Sequence, residues 1–169
     1  LFGDASEVQI AEPQVPPCEE WSTMEKLAKE KEVVGIYISG HPLDDYKFEM
    51  KYFCTAKLES LKNLEQHLGK NLSFGGIVTN VQHRTAKNGK GWATFVLEGY
   101  DESYEFRIFD EEYLKYRHFL LQNQFVYFKI NVKEGWVNRE TGKKSDPRIQ
   151  FLDAKMLADV LPTFAKKLF

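Results

Sequence analysis

Two cysteines, Cys18 and Cys54, are too few and too far apart for a disulfide framework, and no CxxC or Cys/His cluster points to a zinc site. No apolar run approaches the ~18 residues a membrane span needs, and no signal-type hydrophobic stretch is present. The cytoplasm is therefore the expected compartment, with no membrane partner. Bulk charge is small as well, −2 at pH 7, so any polyanion contact has to come from clustered cations. Catalytic groupings are missing too. His67, His83 and His118 have no Ser, Cys or carboxylate partner at a suggestive spacing, and Gly75-Gly76 lacks the lysine and helix of a phosphate loop. Asp44 and Asp45 stand together at a helix start, where they serve the dipole, and His41 before Pro42 reads as a hydrogen-bonding turn residue. No catalytic residue, metal or other cofactor is expected in this chain.

What is present divides along its length. Residues 1–70 carry 8 Lys and Arg against 13 Asp and Glu, a net of −5, whereas residues 71–169 carry 15 against 12, a net of +3. Residues 1–21 contain Pro13, Pro16 and Pro17, lack periodicity and read as an extended linker. A first residue other than methionine suggests a piece of a larger protein. Residues 22–70 read as a helical connector. Ser22 and Glu25 have capping-box spacing, and Met24, Leu27, Ala28, Val34 and Ile38 recur at helical spacing, predicting a helix over 23–38 that ends at Gly40 and Pro42. A second helix follows to about Tyr52, then a short helical stretch over 59–67.

From Leu72 the period changes to alternation. Strands are predicted at 72–83, 91–98, 103–109, 124–133 and 148–156, with Asn88-Gly89 as the first hairpin turn. Asp110 is expected to cap a helix running to about Leu121, with Tyr113, Leu114, Arg117 and Leu121 on one stripe. Three meander strands, a helix and two strands form the element order of the OB-fold, a five-stranded Greek-key barrel. The fold class is thus mainly β with a helical N-terminal connector (α+β), the barrel occupying 71–158 and a C-terminal tail 159–169.

Such barrels bind oligomers across strands two and three, between the loops joining strands one to two and four to five. The first loop holds Arg84, Lys87 and Lys90 with no acid, and the second holds Arg139, Lys143, Lys144 and Arg148 against Glu140 and Asp146. Alternation points Ala93, Phe95 and Leu97 inward with Tyr104, Phe106 and Ile108, leaving Trp92 and Arg107 outward; Phe74, Phe125 and Phe128 also belong mostly to the core. Cations for phosphates and aromatic faces for bases make a single-strand site. Its candidates are Arg84, Lys87, Lys90, Trp92, Arg107, Trp136, Arg139, Lys143, Lys144 and Arg148. The competing reading is a protein-interaction scaffold with an apolar patch at Tyr113, Tyr116 and Phe119.

Residues 25–48, EKLAKEKEVVGIYISGHPLDDYKF, closely resemble a signature of the alpha (catalytic) subunit of the bacterial replicative DNA polymerase III, above all in Ser39–Asp44. Leu1–Asp4 is similar to the family's preceding linker phrase. Further similar phrases are Gly76–Thr79, Arg84-Thr85, Lys87–Lys90, Phe95–Glu98 and Phe109–Tyr113. Trp92, the surroundings of Trp136 and the loop 135–148 depart from the usual pattern. The resemblance implies a C-terminal fragment whose OB domain contacts single-stranded template DNA. It implies a parent polymerase that uses Mg, with its catalytic aspartates upstream in a region absent here. Implied partners are single-stranded DNA, other domains of the parent, and through it the sliding clamp and clamp-loader tau subunit.

Overall fold

The structure is a computed structural model that describes residues 19–137 and 144–166. Arg139 and Lys143, with most of the 1–21 linker, lie outside the described residues. The chain forms two compact units, Leu1–Gly40 and His41–Phe169.

In the first unit, helix α1 spans Thr23–Val34. The Ser22 hydroxyl accepts from the Glu25 N–H at 3.3 Å, and the Glu25 carboxylate accepts from the Ser22 N–H at 2.8 Å. This reciprocal capping box satisfies two helix-end donors. The helix stops at Gly35 rather than running to residue 38, because Gly35 takes φ +85°, a left-handed cap that costs glycine little. The chain then turns back. Glu30 accepts from the Ile38 and Ser39 N–H groups at 3.0 and 2.9 Å and from the Ser39 hydroxyl, which holds its carboxyl below the usual range. Of the expected apolar stripe only Leu27 is buried, while Val34 and Ile38 are exposed.

The second unit opens with a 3₁₀ turn, Pro42–Tyr46, continuing into α2, Lys47–Tyr52, and a 3₁₀ stretch, Leu58–His67. Strands β1 (Asn71–Thr85), β2 (Gly91–Glu98), β3 (Ser103–Phe109), β4 (Phe125–Lys133) and β5 (Arg148–Met156) form one antiparallel sheet in the order β3-β2-β1-β4-β5. Helix α3, Asp110–Tyr116, joins β3 to β4, and α4, Leu157–Ala165, follows β5. This is an OB-like arrangement, mainly sheet with a few helices. It is not a closed barrel, since no ladder joins β3 to β5. The seam is bridged by side chains: the Phe106 and Phe151 rings lie 5.7 Å apart, and the Phe151 N–H donates to the Glu112 carboxylate at 3.4 Å.

Both faces of the central strands are covered. The inner face packs Phe74, Phe95, Phe106, Phe128 and Phe151 with Val78, Ile108 and Ile130. Each such side chain contributes about 1.5–3 kcal/mol by leaving water. On the outer face, Ile77 and Tyr127 are buried with Leu43, Leu157 and Val160, so the Pro42 turn and α4 cap one end of the sheet. Phe125 packs only partly buried against this second cluster. Gly75 and Gly76 allow this close packing. A Cβ at Gly75 would collide with Met50, and one at Gly76 would lie 2.6 Å from the Glu98 carbonyl oxygen.

Two expectations for α3 are corrected. Asp110 is the first helical residue, with φ +50° and no side-chain cap; Phe109 occupies the cap position. The buried stripe is Tyr116 and Leu120 with Tyr113 packed beside them, and Leu114 and Leu121 are exposed. The helix turns into a 3₁₀ turn at Arg117–Phe119, which shifts the later residues around the axis. The tail expected from residue 159 begins inside α4, which runs to Ala165 and brings Val160 and Phe164 to the second core. Among the described residues, no helix is long and apolar enough to cross a membrane.

Candidate nucleic-acid interface

The β1–β2 hairpin closes at Asn88-Gly89. The Asn88 carboxamide accepts from the Lys90 N–H at 3.1 Å, Gly89 takes φ +79°, and Ala86 N–H donates to the Lys90 carbonyl at 2.8 Å. Which side chains of β1 face outward depends on a bulge. Thr79 pairs with Val96 and Gln82 with Thr94, so that Asn80 and Val81 on β1 stand against Phe95 alone on β2, with Asn80 at φ +41°. The extra residue reverses the alternation. Val81 packs against the core, and Gln82 and Arg84 turn to the side that bears Trp92 and Arg107.

Two rungs follow from this register. The first is Arg84–Trp92–Phe109 and the second Gln82–Thr94–Arg107. The Arg84 guanidinium lies 5.4 Å from the Trp92 ring centre and donates to the Gln82 carboxamide oxygen at 2.7 Å. Trp92 stacks on Phe109 at 5.7 Å with 19° between planes, and Phe109 remains 51% exposed. A cation and two aromatic rings thus form a platform on the outer face, with Trp92 partly buried between its neighbours and Phe109 exposed. Phe109 was not among the predicted site residues, although alternation with Arg107 on β3 was the signal for it.

Beyond β3 lies a groove of about 850 Å³, whose lining includes Lys90, Arg107, Phe109, Trp136 and Arg148. Trp136 is 72% exposed, with the Arg148 guanidinium 4.6 Å from its ring centre. Its loop is pinned by the Trp136 N–H donating to the Ser145 hydroxyl and the Ser145 N–H donating to the Trp136 carbonyl, both at 2.8 Å. Of the predicted site residues, the groove gathers Lys90, Arg107, Trp136 and Arg148; the stacked platform adds Arg84 and Trp92. Lys87 sits exposed on the hairpin tip, and Lys144 instead pairs with Glu134 at 2.9 Å, holding that carboxyl below its usual range.

The electrostatics differ from a plain basic surface. The first loop has no acid in its own sequence, but α3 brings Asp110 within 3.3 Å of Lys90, and Glu105 lies 3.5 Å from Arg107. Glu111 and Glu112 also line the groove. Glu112 is half-buried, and burial raises its carboxyl above the usual range despite the Phe151 N–H and nearby Arg148. Two titratable groups outside the interface, His83 and Cys54, are held within the structure. His83 contacts the Tyr113 hydroxyl and the Leu120 carbonyl, each at 3.2 Å. The Cys54 thiol is pushed up to about 12 by burial. Tyr116, offered for a docking patch, is 3% exposed and donates to the Leu152 carbonyl, so that patch does not form. Among the described residues, no group of three His, Cys, Asp or Glu side chains is placed to hold a metal ion.

Comparison with known sequences decides the lineage. The DNA polymerase III subunit alpha of Saccharopolyspora erythraea is 30% identical over 139 residues, covering 80% of this chain and 12% of that protein. The Campylobacter jejuni protein of the same name is 37% identical over 116 residues, covering 65% and 9%. The Neisseria meningitidis one is 40% identical over 70 residues, covering 41% and 6%. The chain belongs to the DNA polymerase III alpha subunit family. It spans at most about 12% of the length of these curated relatives. No protein-family profile matches it. The phrase that carries the alpha-subunit resemblance has a structural role within the second unit. His41 Nδ1 accepts from the Leu43 N–H at 3.1 Å, and Asp44 accepts from the His41 N–H at 3.0 Å. Leu43 is wholly buried, and the Tyr100 hydroxyl donates to its carbonyl at 2.9 Å. His41 and Asp44 therefore act as caps.

Proposed function

We propose that the OB-like unit holds single-stranded DNA, guiding template for a parent polymerase that performs DNA-templated nucleotidyl transfer during replication. The observation that carries this reading is the Arg84–Trp92–Phe109 platform on the outer face of β1, β2 and β3. Bases stack on exposed aromatic faces at about 1–3 kcal/mol each, and phosphates follow the cations beside them. Arg84 and Lys87 contact the backbone and Trp92 and Phe109 the bases, with Arg107, paired to Glu105, beside them. Lys90, Trp136 and Arg148 line the groove beyond, where Trp136 offers a further stacking face for an unpaired base, and Lys144, Arg139 and Lys143 belong to the second loop. Metal-dependent chemistry, and contacts with the sliding clamp and clamp loader, belong in this reading to other parts of the parent.

The test is fluorescence anisotropy of a labelled strand of about 20 nucleotides, titrated at low and moderate salt beside a duplex control. Salt-sensitive binding that prefers the single strand is expected. Trp92→Ala is expected to weaken it by roughly tenfold or more, the equivalent of one lost base stack. Lys87→Glu is expected to flatten the salt dependence. A folded protein that binds neither probe at low salt would leave the scaffold reading, in which the same unit docks another replisome subunit or polymerase domain.

A further inference from the structure

We propose that Glu105 and Asp110 set the strand selectivity of the interface, admitting one phosphate backbone beside β1 and turning away a second beside β3. This rests on the single-strand reading above and deepens it.

The charge on the three-stranded face is asymmetric. On the β1 side, Arg84 and Lys87 form no ion pair with another described residue; Arg84 is held by Gln82 and the Trp92 ring. Along β3 and the end of the hairpin the cations are already answered. Arg107 pairs with Glu105, and Lys90 pairs with Asp110, all four side chains being half exposed or more. Glu111 stands exposed beside Asp110, so the β3 margin carries no surplus of positive charge.

Spacing turns this asymmetry into selection. Adjacent strands lie about 4.8 Å apart, so β1 and β3 are separated by roughly 10 Å. The backbones of a duplex stand about 6 Å apart across the minor groove and about 12 Å across the major groove. A duplex with one backbone along Arg84 and Lys87 lays its other backbone over Glu105, Asp110 and Glu111. A single strand has no second backbone, and its bases lie over Trp92 and Phe109. The carboxylates also hold Lys90 and Arg107 in place before any strand arrives.

The experiment compares the full chain with a Glu105→Gln/Asp110→Asn variant, titrating one labelled strand alone and the same strand in a duplex. Asparagine tolerates the φ of +50° at position 110, so the helix start is preserved. The ratio of single-strand to duplex affinity is expected to fall by about threefold or more, chiefly through tighter duplex binding. An unchanged ratio overturns the proposal. A Glu20→Gln/Glu59→Gln variant removes the same charge from exposed positions elsewhere; an equal shift there assigns the effect to net charge and also overturns it. Glu105→Gln alone gives a smaller shift in the same direction, and decides the matter if circular dichroism shows the double variant unfolded. Failure of the unmodified chain to bind either probe overturns the single-strand reading itself, before any variant is made.

Discussion

Glu112 shows how much one side chain contributes where the sheet is incomplete. Its carboxylate accepts the Phe151 N–H on a strand edge that has no neighbouring strand among the described residues. Burial raises its pKa, so the folded protein binds the proton more tightly than the unfolded chain. The stability cost is absent at low pH and develops as pH rises through the window above the ordinary carboxylate value of 4.5. Glu112→Gln, which keeps an acceptor for Phe151, is therefore expected to leave stability unchanged or raised at neutral pH. The difference should vanish in acid, as read by urea unfolding at several pH values; a neutral-pH loss would show that the charge itself supports the seam. Residues of this kind were the least legible in the sequence. Glu112 and Phe151 are 39 positions apart, and Lys90 meets Asp110 only because α3 folds over the hairpin. Short-range logic worked better, as with the Ser22–Glu25 capping box and the His41 turn.

At the scale of elements, β2 and β3 follow the boundaries that alternation predicts, because one face of each is buried and period two is then visible. The bulge at Asn80 was not visible, since a single extra residue leaves composition untouched. It nevertheless decides that Arg84 shares a face with Trp92. Asn80→Ile places a β-branched residue at φ +41° and is expected to cost about 1–2 kcal/mol in chemical denaturation. Asn80→Gly should be neutral or slightly stabilising; equal losses for both would mean that the Asn side chain, not the backbone angle, matters. The predicted 23–38 helix overran for the opposite reason, since the apolar spacing continued past a glycine that had already ended it.

For the whole molecule, the element order was readable but the closure of the sheet was not, because β3 and β5 come together through a few side chains and no shared ladder. Hydrogen exchange should register this. The slowest amides are expected in β1 and β4, around Ile77, Val78 and Phe128, where both faces and both edges are covered. The β3 amides that point away from β2 should exchange much faster, whereas equal protection across β3 would mean that the seam is closed in solution. The same layout gives β1 a mechanical character. Residues 71–77 are held by β4 on one edge and by cores on both faces, whereas the far half pairs only with β2 and meets the helix side through His83 and the Lys90–Asp110 pair. β1 is thus a cantilever, clamped at its root and loaded at its tip. Lys87 at the tip belongs to neither core, so a substitution there can change the grip on a polymer while the root bears the fold. Stiffness of grip and stability of fold are then separately adjustable in one strand.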